Sequence, residues 1–95
     1  MIVFLSQTAG EKAEQIIEYL ENRWSDKVRD NFLNKLERSM DIIQQMPYSF
    51  PASQSFPGLR KCVITSQTTA FYRIDEDAQE IEIVAIIDSR ENFIS

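Results

Sequence analysis

The chain has 95 residues, of which 43% are hydrophobic and 26% are charged, and it contains one cysteine and no histidine. This length supports one hydrophobic core, so we expect a single domain over residues 1–95. Without histidine, neither a Ser-His-Asp triad nor a Cys-His pair can form, and one cysteine allows no internal disulfide and no ordinary structural zinc site. An excess of 15 acidic over 10 basic residues opposes broad electrostatic contact with nucleic acid. We expect neither a cofactor nor a metal.

The apolar runs of the chain are short. The longest, Ile2–Leu5 and Ile83–Ile87, fall far short of the roughly 18 residues that a membrane-spanning helix needs. The N-terminus also lacks the basic segment, long apolar stretch and cleavage site of a secretory signal. We therefore expect a cytoplasmic protein with no membrane segment.

The first half of the chain predicts one strand and two helices. The β-branched and aromatic run Met1–Leu5 predicts a strand. Thr8 begins a capping-box pattern, and apolar residues at helical spacing then predict an amphipathic helix from about Ala9 to Arg23. Ser25 is the predicted N-cap of a second amphipathic helix, which Pro47 ends. Two helices with so short a connection should pack as an antiparallel hairpin.

The second half predicts a loop followed by three strands. Residues Pro47–Gly58 contain three prolines and several aromatics, which predicts a connecting loop held against the domain. The strands are Leu59–Thr65, Thr69–Ile74 and Ile81–Ile87. The order β-α-α-β-β-β indicates an α+β fold, in which the helical hairpin covers one face of a largely antiparallel four-stranded sheet.

The predicted register suggests a binding surface on the uncovered face. A two-residue turn at Gln67-Thr68 would pair Cys62 with Arg73 and place Arg60, Arg73 and Phe71 together on that face. Arg90, after the last strand, could join this cationic cluster, which would suit an anion or an acidic partner. The alternative is that Arg73 pairs with Glu82, Arg60 pairs with Asp75, and Arg90 is solvated.

Two further residues have a plain and a functional interpretation. Cys62 is either a small buried hydrophobe, which we favour, or a reactive thiol activated by neighbouring arginines. Trp24 either closes the seam between the helices, which we favour, or covers an exposed groove.

Several motifs resemble those of a known superfamily. They are Pro57-Gly58-Leu59-Arg60-Lys61, Phe71-Tyr72-Arg73-Ile74, and Ile83–Ile87 followed by Asp88-Ser89-Arg90, together with a helical hairpin that ends at Met46-Pro47. In order and spacing they resemble the RelE/ParE superfamily of toxins from type II toxin-antitoxin, or plasmid stabilisation, systems. The resemblance implies a microbial-ribonuclease-like sheet packed on two helices. It also implies a cognate antitoxin, which wraps the toxin with an otherwise disordered segment in a hetero-oligomer.

The branch of the superfamily decides the expected target. The RelE branch cleaves messenger RNA on the ribosome with several basic residues; Arg60 and Arg90 fit two of these positions, but Cys62 and Thr69 stand at two others. The Pro-Gly-Leu-Arg and Phe-Tyr-Arg patterns resemble the ParE branch better, which implies growth inhibition by binding and poisoning DNA gyrase. The alternatives are a RelE-like endoribonuclease and an inactive homologue. We assign no catalytic residue. Residues expected to contact the target or the antitoxin are Arg60, Arg73, Arg90 and Phe71.

Overall fold

The computed structural model describes residues 1–90. Two helices and four strands follow one another in the order predicted from the sequence, which confirms the α+β class. The elements are β1 (Ile2–Leu5), α1 (Gln7–Arg23), α2 (Asp26–Gln45), β2 (Arg60–Val63), β3 (Thr68–Asp75) and β4 (Glu80–Asp88).

Serine side chains cap the N-terminus of each helix. The Ser25 hydroxyl accepts a hydrogen bond from the backbone N–H of Val28, so the predicted cap of α2 is confirmed. The predicted capping box at Thr8 is wrong, because α1 already begins at Gln7. Its cap is Ser6, whose hydroxyl accepts from the N–H of Ala9 at 3.0 Å. The helix therefore starts directly after β1, with no intervening turn.

The four strands form one mixed sheet in the order β1-β4-β3-β2. β1 runs parallel to β4, and the other neighbours are antiparallel. Both helices lie on one face, where α1 contacts β4 and β1, and α2 contacts β1. The core lies between these layers; its fully buried members include Ile16, Leu20, Ile43, Cys62, Ala70, Tyr72, Ile81 and Ile83.

A β-bulge in β4 connects the sheet to the start of α1. Phe71 pairs with Ala85 but the next residue, Tyr72, pairs with Ile83, so Val84 has no partner on β3. The hydroxyl of Ser6 donates to the carbonyl of Val84 at 2.9 Å. The same side chain thus caps α1 and satisfies a backbone group of the bulge.

The observed register of β2 differs from the predicted one. Cys62 lies opposite Ala70 instead of Arg73, a shift of three residues. Because side chains alternate between faces, an odd shift moves every β2 side chain to the opposite side of the sheet. The cause is the β2–β3 turn, which is longer than two residues and is closed by the Thr65 hydroxyl, the acceptor for the N–H groups of Gln67 and Thr68.

Trp24 does not close the seam between the helices, so the favoured prediction for it is wrong. It is the C-cap of α1 and is 65% exposed. The seam is filled instead by buried side chains on the inner sides of the helices, among them Leu20 and Phe32. Neither helix described between residues 1 and 90 is long and apolar enough to span a membrane.

Candidate functional site

The sheet surface that faces away from the helices, called here the open face, carries a partly apolar row of side chains. The register and the alternation of side chains place these residues on it: Ile2, Phe4, Lys61, Val63, Thr69, Phe71, Arg73, Asp75, Glu80, Glu82, Ala85 and Ile87. Ile2 is 66% exposed, Val63 59%, Phe4 40% and Ile87 37%. The register places Ile2 and Phe4 on the β1 edge, and Val63 and Ile87 on either side of Thr69 at the opposite corner. The open face thus has two exposed apolar patches, a feature typical of protein interaction surfaces.

Phe71 lies on the open face but is largely covered. Its ring packs against that of Phe56 in an edge-to-face arrangement with the centroids 4.8 Å apart. Phe71 is 6% exposed, whereas Phe56 is 40% exposed. The connecting loop therefore presents Phe56 at the surface, above Phe71, and a partner would meet Phe56 first.

Arg73 is the arginine of the open face. It forms an ion pair with Glu82, its direct neighbour on β4, as the alternative interpretation of the sequence proposed. The Arg73 side chain is 61% exposed. An exposed ion pair contributes about 1 kcal/mol or less, so a carboxylate of a partner can replace Glu82 at little cost.

Arg60 lies on the helix side of the sheet and holds the connecting loop. Its guanidinium donates to the carbonyl of Phe50 at 2.6 Å and of Tyr48 at 3.3 Å, and it lies over the Tyr48 ring. Next to it, the Tyr72 hydroxyl donates to the carbonyl of Pro47. Burial raises the pKa of Tyr72 to about 12. These contacts confirm a loop held against the domain, and they make Arg60 a structural anchor.

Arg90 is bound to a buried carboxylate at the end of β4. Its Nε and Nη2 atoms donate to the two oxygens of Asp88 at 3.0 and 2.9 Å, and its backbone N–H donates to the same group. The hydroxyl of Thr68 also donates to Asp88, at 2.6 Å. Burial acts to raise the pKa of Asp88, but the hydrogen bonds from Arg90 and Thr68 outweigh it and hold that pKa below its usual value.

The predicted cluster of three arginines does not form. Arg73 is on the open face, Arg60 is on the helix side beneath the loop, and Arg90 is at the end of β4 near Tyr19 of α1. The physical reason is the β2 register, which turns Arg60 and Cys62 toward the helices. Cys62 is fully buried, and burial raises the pKa of its thiol, as expected for a core residue and not for a nucleophile.

Sequence reasoning did not single out several residues that the open face exposes. The predicted register placed Lys61 and Val63 on the helix side of the sheet, whereas the observed register places them on the open face. Ile2 and Phe4 had a signal in the sequence, because alternate positions of an edge strand share a face and both are large and apolar. Their pairing with Glu80 and Glu82 required knowledge of the parallel β1–β4 contact.

Comparison with solved structures gives the same fold in toxins of toxin-antitoxin systems. The structure described as a chromosomal ParDE toxin-antitoxin system from P. aeruginosa matches with a TM-score of 0.77 and 16% identity, over 93% of this chain and 95% of that one. A YoeB/ParE toxin from Agrobacterium tumefaciens matches with a TM-score of 0.67 and 13% identity, over 93% and 98%. The intact E. coli RelBE toxin-antitoxin complex matches with a TM-score of 0.61 and 10% identity, over 92% and 94%.

The sequence itself identifies the family. A comparison with curated protein sequences gives no match. The family described as ParE toxin of type II toxin-antitoxin system, parDE, matches residues 3–93, which is nearly the whole chain. The chain therefore belongs to the ParE toxin family of type II toxin-antitoxin systems.

Proposed function

We propose that this chain inhibits growth by binding and poisoning DNA gyrase, and that a cognate antitoxin neutralises it by covering the open face. The observation that carries the proposal is the match of the ParE toxin family over residues 3–93. We further propose that it acts in the cytoplasm, where gyrase is found, as part of a plasmid-stabilising or chromosomal toxin-antitoxin pair.

The state of the arginines favours binding over RNA cleavage. An RNA-cleaving site needs a base for the 2′-hydroxyl, an acid for the leaving oxygen, and cations that face the phosphate. The chain has no histidine to serve as base. Arg60 donates to backbone carbonyls and Arg90 to Asp88, so two of the candidate cations already have partners within the fold. These side chains support a structural role more than catalysis.

The open face has the chemistry that an antitoxin segment would need. It exposes the apolar side chains Ile2, Phe4, Val63 and Ile87 beside the cations Lys61 and Arg73. A disordered segment with apolar anchors and acidic residues could fold onto such a surface. Its apolar anchors would bury the exposed apolar side chains, and its acidic residues would pair with Lys61 and Arg73. We propose that Arg73, and Phe71 through Phe56, contact this segment.

The target is tested with the purified chain in two reactions. One contains gyrase and relaxed or supercoiled DNA, and the other contains translating ribosomes with a defined message. We expect inhibited supercoiling or accumulated cleaved DNA in the first reaction and intact message in the second. Cleaved message with unaffected gyrase would assign the chain to the RelE-like endoribonucleases instead. Activity in neither reaction would indicate an inactive homologue.

The antitoxin surface is tested with Val63→Asn, using the purified cognate antitoxin as partner. Burial of one large apolar side chain contributes about 1.5 kcal/mol or more, so we expect the dissociation constant to rise about tenfold. The matched control is Met46→Asn, because Met46 is 54% exposed but lies at the end of α2, away from the open face. Equal binding by Val63→Asn and wild type would refute the open face as the antitoxin surface.

A double substitution of Arg60 and Arg73 to glutamate is unsuitable as a test of this surface. Arg60→Glu would remove the hydrogen bonds that hold the loop and place a carboxylate against the carbonyls of Phe50 and Tyr48. A loss of binding would then report damage to the loop. Arg73→Glu alone is the informative variant, because Arg73 is exposed and its ion pair is with Glu82 on the neighbouring strand.

A further inference from the structure

A pocket of about 170 Å³ lies at the end of the molecule where the α1–α2 turn meets the β2–β3 turn. It is formed by the helices and the turn, so it is separate from the open face. Its lining residues are Leu20, Val28, Asn31, Phe32, Lys35, Thr65, Ser66, Gln67 and Arg90.

The pocket combines an apolar floor with a polar rim. Leu20 and Phe32 belong to the core and are 2% and 4% exposed. The small exposed areas of these two side chains form the base of the pocket. Thr65 and Ser66 form one wall. The hydrogen bonds that close the β2–β3 turn use the Thr65 hydroxyl and do not involve that of Ser66. This wall therefore offers a hydroxyl to a bound group.

The charge of the rim is opposite to that of the whole chain. The net charge of the protein is −5, yet among the described residues 1–90 those that line the pocket include two cations, Lys35 and Arg90, and no carboxylate. Asp88, which binds Arg90, is fully buried and does not line the pocket. It contacts Nε and Nη2 of the guanidinium, which leaves the N–H groups of Nη1 outside this contact. Asp88 thus orients Arg90 without occupying all of its donors.

An exposed tryptophan is close in the chain to two residues that line the pocket. Trp24 is the C-cap of α1, four residues after Leu20 and four before Val28. It is 65% exposed. Tryptophan and arginine are the residue types most enriched among those that dominate binding energy at protein interfaces. A surface of this extent exceeds what a single small anion would contact.

We propose that this pocket binds a short segment of a partner protein in which a large apolar side chain adjoins an aspartate or glutamate. The apolar side chain enters between Leu20, Val28 and Phe32, and the carboxylate pairs with Lys35 and Arg90. Charge complementarity selects this occupant, because Lys35 and the Nη1 group of Arg90 attract a carboxylate. The inference does not depend on gyrase as target or on the open face as the antitoxin surface.

The test uses the full chain and a capped hexapeptide that contains two aspartates beside a leucine and a phenylalanine. Binding is followed by the fluorescence of Trp24, the only tryptophan of the chain. The matched peptide has asparagine in place of each aspartate. We expect binding of the acidic peptide to weaken at least tenfold in Lys35→Glu and in the presence of high salt, and the neutral peptide to bind at least tenfold more weakly.

The control variant is Arg38→Glu, which makes the same charge change at an exposed position of α2 that does not line the pocket. It should bind the acidic peptide within about twofold of wild type at the same moderate salt concentration, because a charge outside the pocket acts on the peptide only at long range. Equal loss in Arg38→Glu and Lys35→Glu would reduce the effect to net charge and refute the pocket. Absence of binding to wild type at millimolar peptide would refute it as well. Concentration-dependent self-association that Lys35→Glu abolishes would identify a second copy as the occupant and overturn the proposal.

Discussion

Substitution of Asp88 by asparagine tests whether the end of β4 is held by a buried charge. Asp88 is fully buried and accepts hydrogen bonds from Thr68 and from three N–H groups of Arg90. Asparagine keeps the shape and one acceptor oxygen, but it replaces the other oxygen with an NH₂ group that would face donors. The variant therefore loses charge-assisted hydrogen bonds and leaves the Arg90 guanidinium beside a neutral group.

The expected loss of stability is about 2–3 kcal/mol. Breaking a fully buried ion pair costs about 3–5 kcal/mol, because the remaining charge has no partner. The Arg90 side chain is 29% exposed, so water can solvate it in part once the carboxylate charge is gone. Partial solvation of Arg90 reduces the expected loss from about 3–5 to about 2–3 kcal/mol. This is comparable to the contribution of one hydrogen bond to a charged group, about 1.5–3 kcal/mol.

The assay is urea unfolding of wild type and Asp88→Asn at several pH values, with the exposed Asp41→Asn on α2 as control. The pKa of Asp88 is lower in the folded state than its usual value. Its contribution to stability is therefore complete above the pKa of the unfolded chain, about 3.9, and is lost as the pH falls through the folded value. The difference between wild type and variant should be largest at neutral pH and shrink below about pH 4. A difference that stays constant between pH 7 and pH 3 would refute the reasoning.

Three further predictions concern the fold. Ser6→Ala should lower the free energy of unfolding by about 1–2 kcal/mol, because it removes the cap at Ala9 and the hydrogen bond to Val84, and urea unfolding would detect this. Gly58→Ala should cost about 1 kcal/mol in the same assay, since Gly58 has a φ of 84°; an unchanged midpoint would contradict it. Cys62 should react with a thiol reagent at least about 100-fold more slowly in the folded protein than in urea, because it is fully buried and burial raises its pKa. Comparable rates would show that the core opens readily.

Helices and strands could be predicted because their signals are local. Apolar spacing, the Ser25 cap and the stop at Pro47 each depend on a few neighbouring residues, and all are confirmed. The start of α1 was placed too late because Thr8 and Ser6 are both acceptable caps in the sequence. Only the contact of Ser6 with Val84, at the far end of the chain, distinguishes them.

The candidate site was harder to predict because it depends on strand register. The prediction assumed the shortest possible β2–β3 turn, whereas the Thr65 side chain closes a longer one. That odd shift exchanged Cys62 with Val63 and moved Arg60 beneath the loop. Both strand faces are partly apolar, so alternation along β2 could not reveal the error. Phe71 and Arg73 were placed on the correct face because the residues that alternate with them, Ala70, Tyr72 and Ile74, form the core side of β3.

The parallel contact between the first and the last strand also affects how this toxin is made. Ile2 pairs with Glu80, so the N-terminal strand, although synthesised first, finds its neighbour only after almost all of the chain has left the ribosome. Until then the strand and the inner surface of the helical pair lack their sheet. During translation an interval thus exists in which β1 and the helical pair are present but the sheet against which they pack is incomplete.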